Sequence, residues 1–355
     1  MRRNPLIQDG DNVPGQAAGL ALAVAIPYWK VQLMSYKFVF LPPAGDRQRV
    51  WAEAIRTALP GISVTVCDDR EMACAELSDA RGAFGTLDAE LLAAAPRLEW
   101  LAAPAAGPRP EFYFHELVES NVTVTNIRGI YSDHISMQIM SYVLSFARGL
   151  HVYMPLQGQG IWAQAEQRAD TIHLPEATAV VIGVGGIGAE TARHLAHFGV
   201  HVIGVDPRVE TPPAGVHELI RPDALEEHIG RGDFVIMTAP QTPSTQGLMN
   251  QSLMGKMKNS STLINIGRGS NVVLDDLAAA LSNGTIGGAA LDVFEIEPLP
   301  ADHPLWRAPN FILTPHMAGD GPYLDDRRRD LLIENCRRLR DNEELLNIVD
   351  KANWF

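Results

Sequence analysis

From Lys37 onward, short runs of β-branched and aromatic residues alternate with stretches whose apolar positions recur at helical spacing. This is the pattern of parallel strands joined by crossover helices. Strands are predicted at Lys37 to Leu41, Ser63 to Cys67, Trp100 to Ala102 and Val122 to Val124, with helices at Arg47 to Leu59 and Asp88 to Ala94. They form a first α/β unit. A long helical pattern from about Ser132 to Tyr153 then leads to a second alternation, with strands at Thr178 to Ile182, Val202 to Val205, Phe234 to Met237, Thr262 to Ile266, Ala289 to Val293 and Phe311 to Leu313. Six strands with helices between them complete a doubly wound sheet. A last helix, Leu324 to Leu339, carries Leu331, Leu332 and Cys336 on one side and is long enough to return to the first unit. The expected fold is α/β: two Rossmann-like or flavodoxin-like domains, each a doubly wound parallel sheet, with a cleft between them.

Length and composition agree with that plan. The chain has 355 residues, 46% hydrophobic and 20% charged, which suits two ordinary globular domains able to bury cores of their own. Against 29 basic residues stand 42 acidic ones, a net charge of −13 with no basic stripe, which argues against a nucleic-acid partner. Cys67, Cys74 and Cys336 are odd in number and lack C-x-x-C spacing, so they read as free thiols of a reducing, cytoplasmic setting. Nothing in the chain is a continuous apolar run long enough to span a bilayer. Arg2 and Arg3, followed by Gly19 to Trp29, superficially suggest an export signal. Asp9, Asp11 and Pro14 interrupt it and no small-residue cleavage site follows, so residues 1–33 are expected to be a poorly ordered extension.

The candidate chemistry begins where the Thr178 to Ile182 strand ends, at Gly183-Val184-Gly185-Gly186-Ile187-Gly188, which opens a helix. In such a loop Gly183 permits a tight turn, Gly185 lets the backbone approach a pyrophosphate, and Gly188 lets helix and strand pack closely. The helix N-terminus adds free N–H donors and the positive end of a dipole. Asp206, at the tip of the next strand, is placed to accept hydrogen bonds from ribose hydroxyls and to repel a 2′-phosphate. NAD is therefore expected before NADP, although Arg208, two residues on, offers a charge that a 2′-phosphate would welcome.

Three later segments follow in order: Thr262-Leu263-Ile264-Asn265-Ile266-Gly267-Arg268-Gly269, then Ala290 to Pro300 containing Asp292 and Glu297, then Leu313-Thr314-Pro315-His316. Arg268, between two glycines after a buried strand, is suited to paired hydrogen bonds with a carboxylate or carbonyl. Glu297 and His316 follow successive strands on the edge where doubly wound sheets bind ligands, and a carboxylate touching an imidazole favours its protonated form. With the glycine loop placed after a complete α/β unit, this order resembles the D-isomer-specific 2-hydroxyacid dehydrogenases over about residues 36 to 345. The resemblance implies an NAD-dependent enzyme interconverting a D-2-hydroxy acid and a 2-oxo acid, with glyoxylate, hydroxypyruvate or a larger 2-oxo acid as substrate. It assigns substrate binding to Arg268, acid/base catalysis to His316 and orientation of that histidine to Glu297. It also puts Asp292 at the nicotinamide carboxamide, Thr238, Ala239, Pro240, Thr242 and Ile266 along the cofactor, and Arg268 and His316 in contact with cofactor as well as substrate.

On the substrate side, Leu101 to Gly107 resembles the loop whose amides hold the substrate carboxylate, which carries that role to Ala106 and Gly107. Relatives commonly continue with valine and an acidic residue; here Pro108, Arg109 and Pro110 follow. Tyr131, Phe112, Tyr113 and Trp162 are candidates for a roomy apolar pocket, or for ordinary core and interface aromatics. No metal is expected: His194 and His197 lie at helical spacing without a third ligand. The implied organisation is a discontinuous substrate-binding domain, 34–126 with 320–355, around an NAD-binding domain, 127–319, in a homodimer using Ser132 to Trp162. Two rival readings stay open, a same-fold dehydrogenase of another substrate and a non-catalytic NAD(H)-sensing co-regulator. Among the former, a formate enzyme is disfavoured because its relatives carry glutamine where Glu297 stands.

Overall fold

The computed structural model describes residues 35–354, so the expectation of a disordered extension over 1–33 lies outside the described residues. Two parallel sheets organise the chain. The first contains β1 (Tyr36–Phe40), β2 (Ile62–Val66), β3 (Ala80–Phe84), β4 (Trp100–Ala102) and β5 (Thr123–Thr125), in the order β2-β1-β3-β4-β5. Helices α1 (Asp46–Ala58), α2 (Arg70–Leu77), α3 (Ala89–Ala93) and α4 (His115–Glu119) connect them. This is the flavodoxin-like order.

After α5 (Ser132–Ala147) and α6 (Leu150–Gly158), the second sheet holds β6 (Thr178–Ile182), β7 (His201–Val205), β8 (Glu218–Ile220), β9 (Phe234–Met237), β10 (Thr262–Asn265), β11 (Gly288–Leu291) and β12 (Phe311–Leu313). Their order, β12-β11-β10-β9-β6-β7-β8, reverses at β6 as in a Rossmann sheet with an added edge strand. Its crossovers include α7 (Gly186–His197), α8 (Leu225–His228), α9 (Gln251–Met254) and α10 (Leu274–Ser282). The central strands read as unbroken apolar runs because helices cover both faces; Phe234, Val235, Ile236 and Met237 are all fully buried. Finally α11 (Leu324–Asp341) returns to the small lobe, setting Leu332, Cys336 and Leu339 against Trp51, Ile55, Phe38 and Trp100. Burial of the two leucines contributes about 1.5–3 kcal/mol each. Tyr36 Oη also donates to the Cys336 carbonyl at 2.9 Å, tying β1 to this helix.

Four expectations need correction. Strand β3 was not expected, because Ala80-Arg81-Gly82-Ala83-Phe84 is poor in β-branched residues. Tertiary packing selects it: a Cβ at Gly82 would stand 2.8 Å from Phe38 and 3.1 Å from Trp100. Helix α2 was missed although Asp69 caps it, its side chain accepting from Met72 N at 2.8 Å. The large sheet has seven strands rather than six, the extra one being the three-residue edge strand β8. The predicted long helix is two helices, since Gly149 at φ +72° ends the first and caps the second. Through Ile139, Tyr142, Val143 and Phe146, α5 packs into the core of the larger lobe.

Candidate active site

At the reversal point of the large sheet, the glycine loop is shaped by its neighbours. Gly183 has φ +93°, and a Cβ on Gly188 would come within 1.9 Å of the Gly183 carbonyl, so neither position admits a side chain. Gly185, by contrast, faces open space and caps α7, leaving that helix's first amides available to an anion. Thr238 Oγ1 donates to the carbonyls of Ile182 and Gly183 and so clamps the turn. Beyond it, Ala239 is buried with its carbonyl accepting from Asn271 Nδ2 at 3.0 Å, and Thr245 Oγ1 ties Pro240 O to Thr242 N. Ile266 is buried at the tip of β10. Such a cradle fits a dinucleotide.

Asp206 is only 5% exposed, and its carboxylate works inside the protein: Oδ2 accepts from Val184 N at 3.0 Å, Oδ1 from Arg208 N at 2.9 Å and Val209 N at 3.2 Å. It therefore holds the glycine loop to the turn after β7. Asp292, 1% exposed, acts comparably one sheet-edge away. Its Oδ1 accepts from Thr314 Oγ1 and from Met317 N at 2.9 Å, and Oδ2 accepts from Ala318 N at 3.0 Å, so it anchors the loop that carries His316.

The three polar residues from separate motifs meet at this edge. Glu297 Oε2 lies 2.8 Å from His316 Nδ1, while Oε1 accepts from Phe294 N at 2.9 Å. Burial works against the charged form of Glu297, but the hydrogen bonds from His316 and Phe294 outweigh it and hold the carboxyl below its ordinary value. His316 sits at φ +52°, its amide donating to Asp292 O at 2.8 Å. With Nδ1 taken by the carboxylate and the side chain 54% exposed, Nε2 is the nitrogen left for a ligand. Arg268 reaches across the lobes: Nη1 donates to Gly267 O at 2.7 Å and Nη2 to Gly107 O at 3.0 Å. Burial lowers its pKa, opposed by the charge of Glu297, yet a guanidinium stays cationic and its desolvated donors interact strongly.

In the small lobe the loop after β4 presents a carbonyl, that of Gly107, to Arg268, and Ala106 O accepts from Asn126 Nδ2 at 2.8 Å. Among the described residues none accepts from the amides of Ala106 or Gly107. The four aromatics do not share a pocket. Phe112 and Tyr113 lie in the small lobe's core, Trp162 is 88% exposed, and Tyr131 accepts from Arg328 Nε and Nη2 beside the interlobe crossing. That crossing is braced by Arg327, which grips both oxygens of Asp133 at 2.8 Å. Several supporting residues escaped the sequence reading: Asn265, whose side chain holds Gly267 N and Arg268 O, and the pair Tyr142 and Thr314 beneath the histidine loop. Asn265 and Thr314 lie inside the recognised motifs, which was the available signal; Tyr142 carried none.

Residues 140–318 match the family model described as the D-isomer specific 2-hydroxyacid dehydrogenase, NAD binding domain. Among curated proteins, a glyoxylate/hydroxypyruvate reductase A of Photorhabdus laumondii is 34% identical over 61% of this chain and 68% of its own. A glyoxylate reductase of Thermofilum pendens is 30% identical over 75% of this chain and 78% of its own. Among solved structures, a D-isomer specific 2-hydroxyacid dehydrogenase from Xanthobacter autotrophicus Py2, in complex with NADPH and MES, superposes with a TM-score of 0.77 at 29% identity, covering 90% of this chain and 99% of that one.

Proposed function

The chain belongs to the D-isomer specific 2-hydroxyacid dehydrogenase family, and from that premise we propose that it reduces a 2-oxo acid, of the glyoxylate or hydroxypyruvate type or larger, to the D-2-hydroxy acid in the cytoplasm. The small lobe with α11 holds the substrate and the larger lobe holds the cofactor. The observation that carries the reading is the contact of Glu297 with Nδ1 of His316 at 2.8 Å, on the same sheet edge as the glycine loop.

When bound, the dihydronicotinamide supplies a hydride to the substrate's carbonyl carbon. Arg268 binds the carboxylate and polarises the carbonyl with its paired donors. From Nε2, His316 gives its proton to the oxygen that becomes the hydroxyl, and Glu297 stabilises the imidazolium beforehand and keeps its ring oriented. The unengaged amides of Ala106 and Gly107 are the donors assigned to the other end of the carboxylate. Closing the lobes around the substrate expels water from the hydride path. NADH consumption against glyoxylate, hydroxypyruvate, pyruvate, phenylpyruvate and branched 2-oxo acids tests this. Binding of NADH without turnover of any of them would favour a nucleotide-sensing protein instead.

NAD(H) is the proposed cofactor, because the Asp206 carboxylate at the tip of β7 opposes a 2′-phosphate electrostatically. NADP(H) is the second reading, favoured by Arg208, which stands two residues past Asp206 and carries a charge that a 2′-phosphate would meet. Replacing Asp206 by Ala should weaken NADH about tenfold relative to NADPH, and should destabilise the fold by about 1–3 kcal/mol because three amides lose their acceptor. Fluorescence titration and thermal melting measure the two effects. A NADH to NADPH ratio unmoved by the substitution would remove the assignment.

A homodimer belongs to the same proposal. Helix α6 buries none of its residues, and Met137, Leu150, Met154, Ile161 and Trp162 leave apolar side chains exposed. Sedimentation at micromolar concentration should give a dimer, weakened by Trp162→Glu; a monomer would exclude it.

A further inference from the structure

One cation beside the cleft is unused by the mechanism above. Arg109 stands two residues past Gly107, whose carbonyl accepts Arg268 Nη2 at 3.0 Å, and two residues span at most about 7 Å. Its Cα is thereby anchored next to the guanidinium that grips the substrate. The backbone is set in advance. Pro108 and Pro110 flank it, and Arg109 has φ −65° and ψ 157°, the extended conformation that a following proline favours. Downstream, buried Phe112 and Tyr113 pin the loop into the small lobe's core.

The Arg109 side chain is exposed, and among the described residues it forms no hydrogen bond or ion pair. Its charge nevertheless reaches across the cleft. Burial raises the pKa of Glu297, and Arg109 is among the groups, after His316 and Phe294 N, that lower it. Glu297 forms no direct contact with it: its oxygens accept from Phe294 N and pair with His316 Nδ1. A guanidinium on a stiff loop, near the substrate and with no hydrogen-bonded acid among the described residues, is prepared for an anion that arrives with the ligand.

We propose that Arg109 is a specificity-determining residue that binds a second anionic group, a carboxylate or a phosphate, at the end of the 2-oxo acid remote from the oxo group. This rests on the reading that Arg268 and His316 act on a 2-oxo acid. The chain's net charge of −13 disfavours dianions as a whole, so acceptance of one requires a local cation of this kind.

The test compares the full-length wild type with Arg109→Gln and Arg109→Lys in NADH-dependent reduction of chain-length-matched pairs: 2-oxobutyrate with oxaloacetate, and 2-oxovalerate with 2-oxoglutarate, adding 3-phosphohydroxypyruvate. In the wild type kcat/KM should favour a dianion about tenfold or more over its matched monoanion. R109Q should abolish that preference through KM while leaving monoanion turnover unchanged, and R109K should restore part of it. The carboxylate and phosphate arms tell which group is bound. Absence of a dianion preference in the wild type overturns the proposal. So does an equal loss for both classes in R109Q with a displaced pH profile, which would mean that Arg109 acts through Glu297 and His316. Failure of every 2-oxo acid, with NADH still bound, would instead fell the underlying 2-oxo acid reading and the proposal with it.

Discussion

Replacing His316 by Ala should lower kcat/KM for 2-oxo acid reduction by about 10²- to 10⁴-fold, the range carried by a positioned general acid, while NADH binding is retained. The loss arises because the new hydroxyl's proton then has no donor in place; the cofactor cradle at Gly183 to Gly188 lies on different strands and stays intact. Activity and fluorescence titration separate the two quantities. A variant that loses NADH affinity while keeping turnover would show that His316 has been given the wrong role. The partner residue adds a pH signature. Reduction takes up a proton, so its rate falls toward alkaline pH, and Glu297→Gln, which removes the carboxylate 2.8 Å from His316 Nδ1, should change that alkaline limb. On the acid side, the Glu297 carboxyl is held below its ordinary value. Its contribution is thus complete above the usual carboxylate range and is lost only as pH falls through the depressed value. An unchanged alkaline limb in E297Q would mean that the carboxylate serves only to position the ring.

Replacing Arg268 should be nearly as damaging, about 10²- to 10³-fold in kcat/KM for Ala, by analogy with removal of one donor from a preorganised anion site. Arg268→Lys should recover little. An ammonium on a flexible stem cannot keep the Gly107 contact and the Gly267 contact while offering paired donors to a carboxylate. The decisive measurement is R268K beside R268A, with thermal melting to show that both fold. If lysine restores activity to within about threefold, a point charge suffices and the paired-donor account of Arg268 falls.

Much of this site was legible because its parts are local. The glycine loop needs a strand before it and a helix after it within a few residues, and Arg268, Glu297 and His316 each follow a strand whose apolar run is visible on its own. What escaped was nonlocal support. Asp206 and Asp292 were read as facing the cofactor, yet each spends most of its acceptor capacity on backbone amides of neighbouring loops. A carboxylate's partners tens of residues away leave no periodicity behind. Tyr142 beneath Thr314 is of the same kind. Phe112, Tyr113 and Trp162 were grouped by aromatic character, and only burial separates them into core and surface.

The order of hydrophobic and polar positions determined the class of the fold, two parallel α/β lobes, because a residue's periodicity records which side of its own helix or strand is covered. It also pointed to the edge where the proposed chemistry sits, since loops after parallel strands open on one edge of each sheet. The tertiary structure alone decided that Ala80–Phe84 is a strand, that Gly107 offers its carbonyl to Arg268, and that the exposed Arg109 side chain forms no hydrogen bond or ion pair among the described residues. Those outcomes depend on which distant side chains come to occupy the same space, and that information resides in packing between elements, outside the pattern of any one of them.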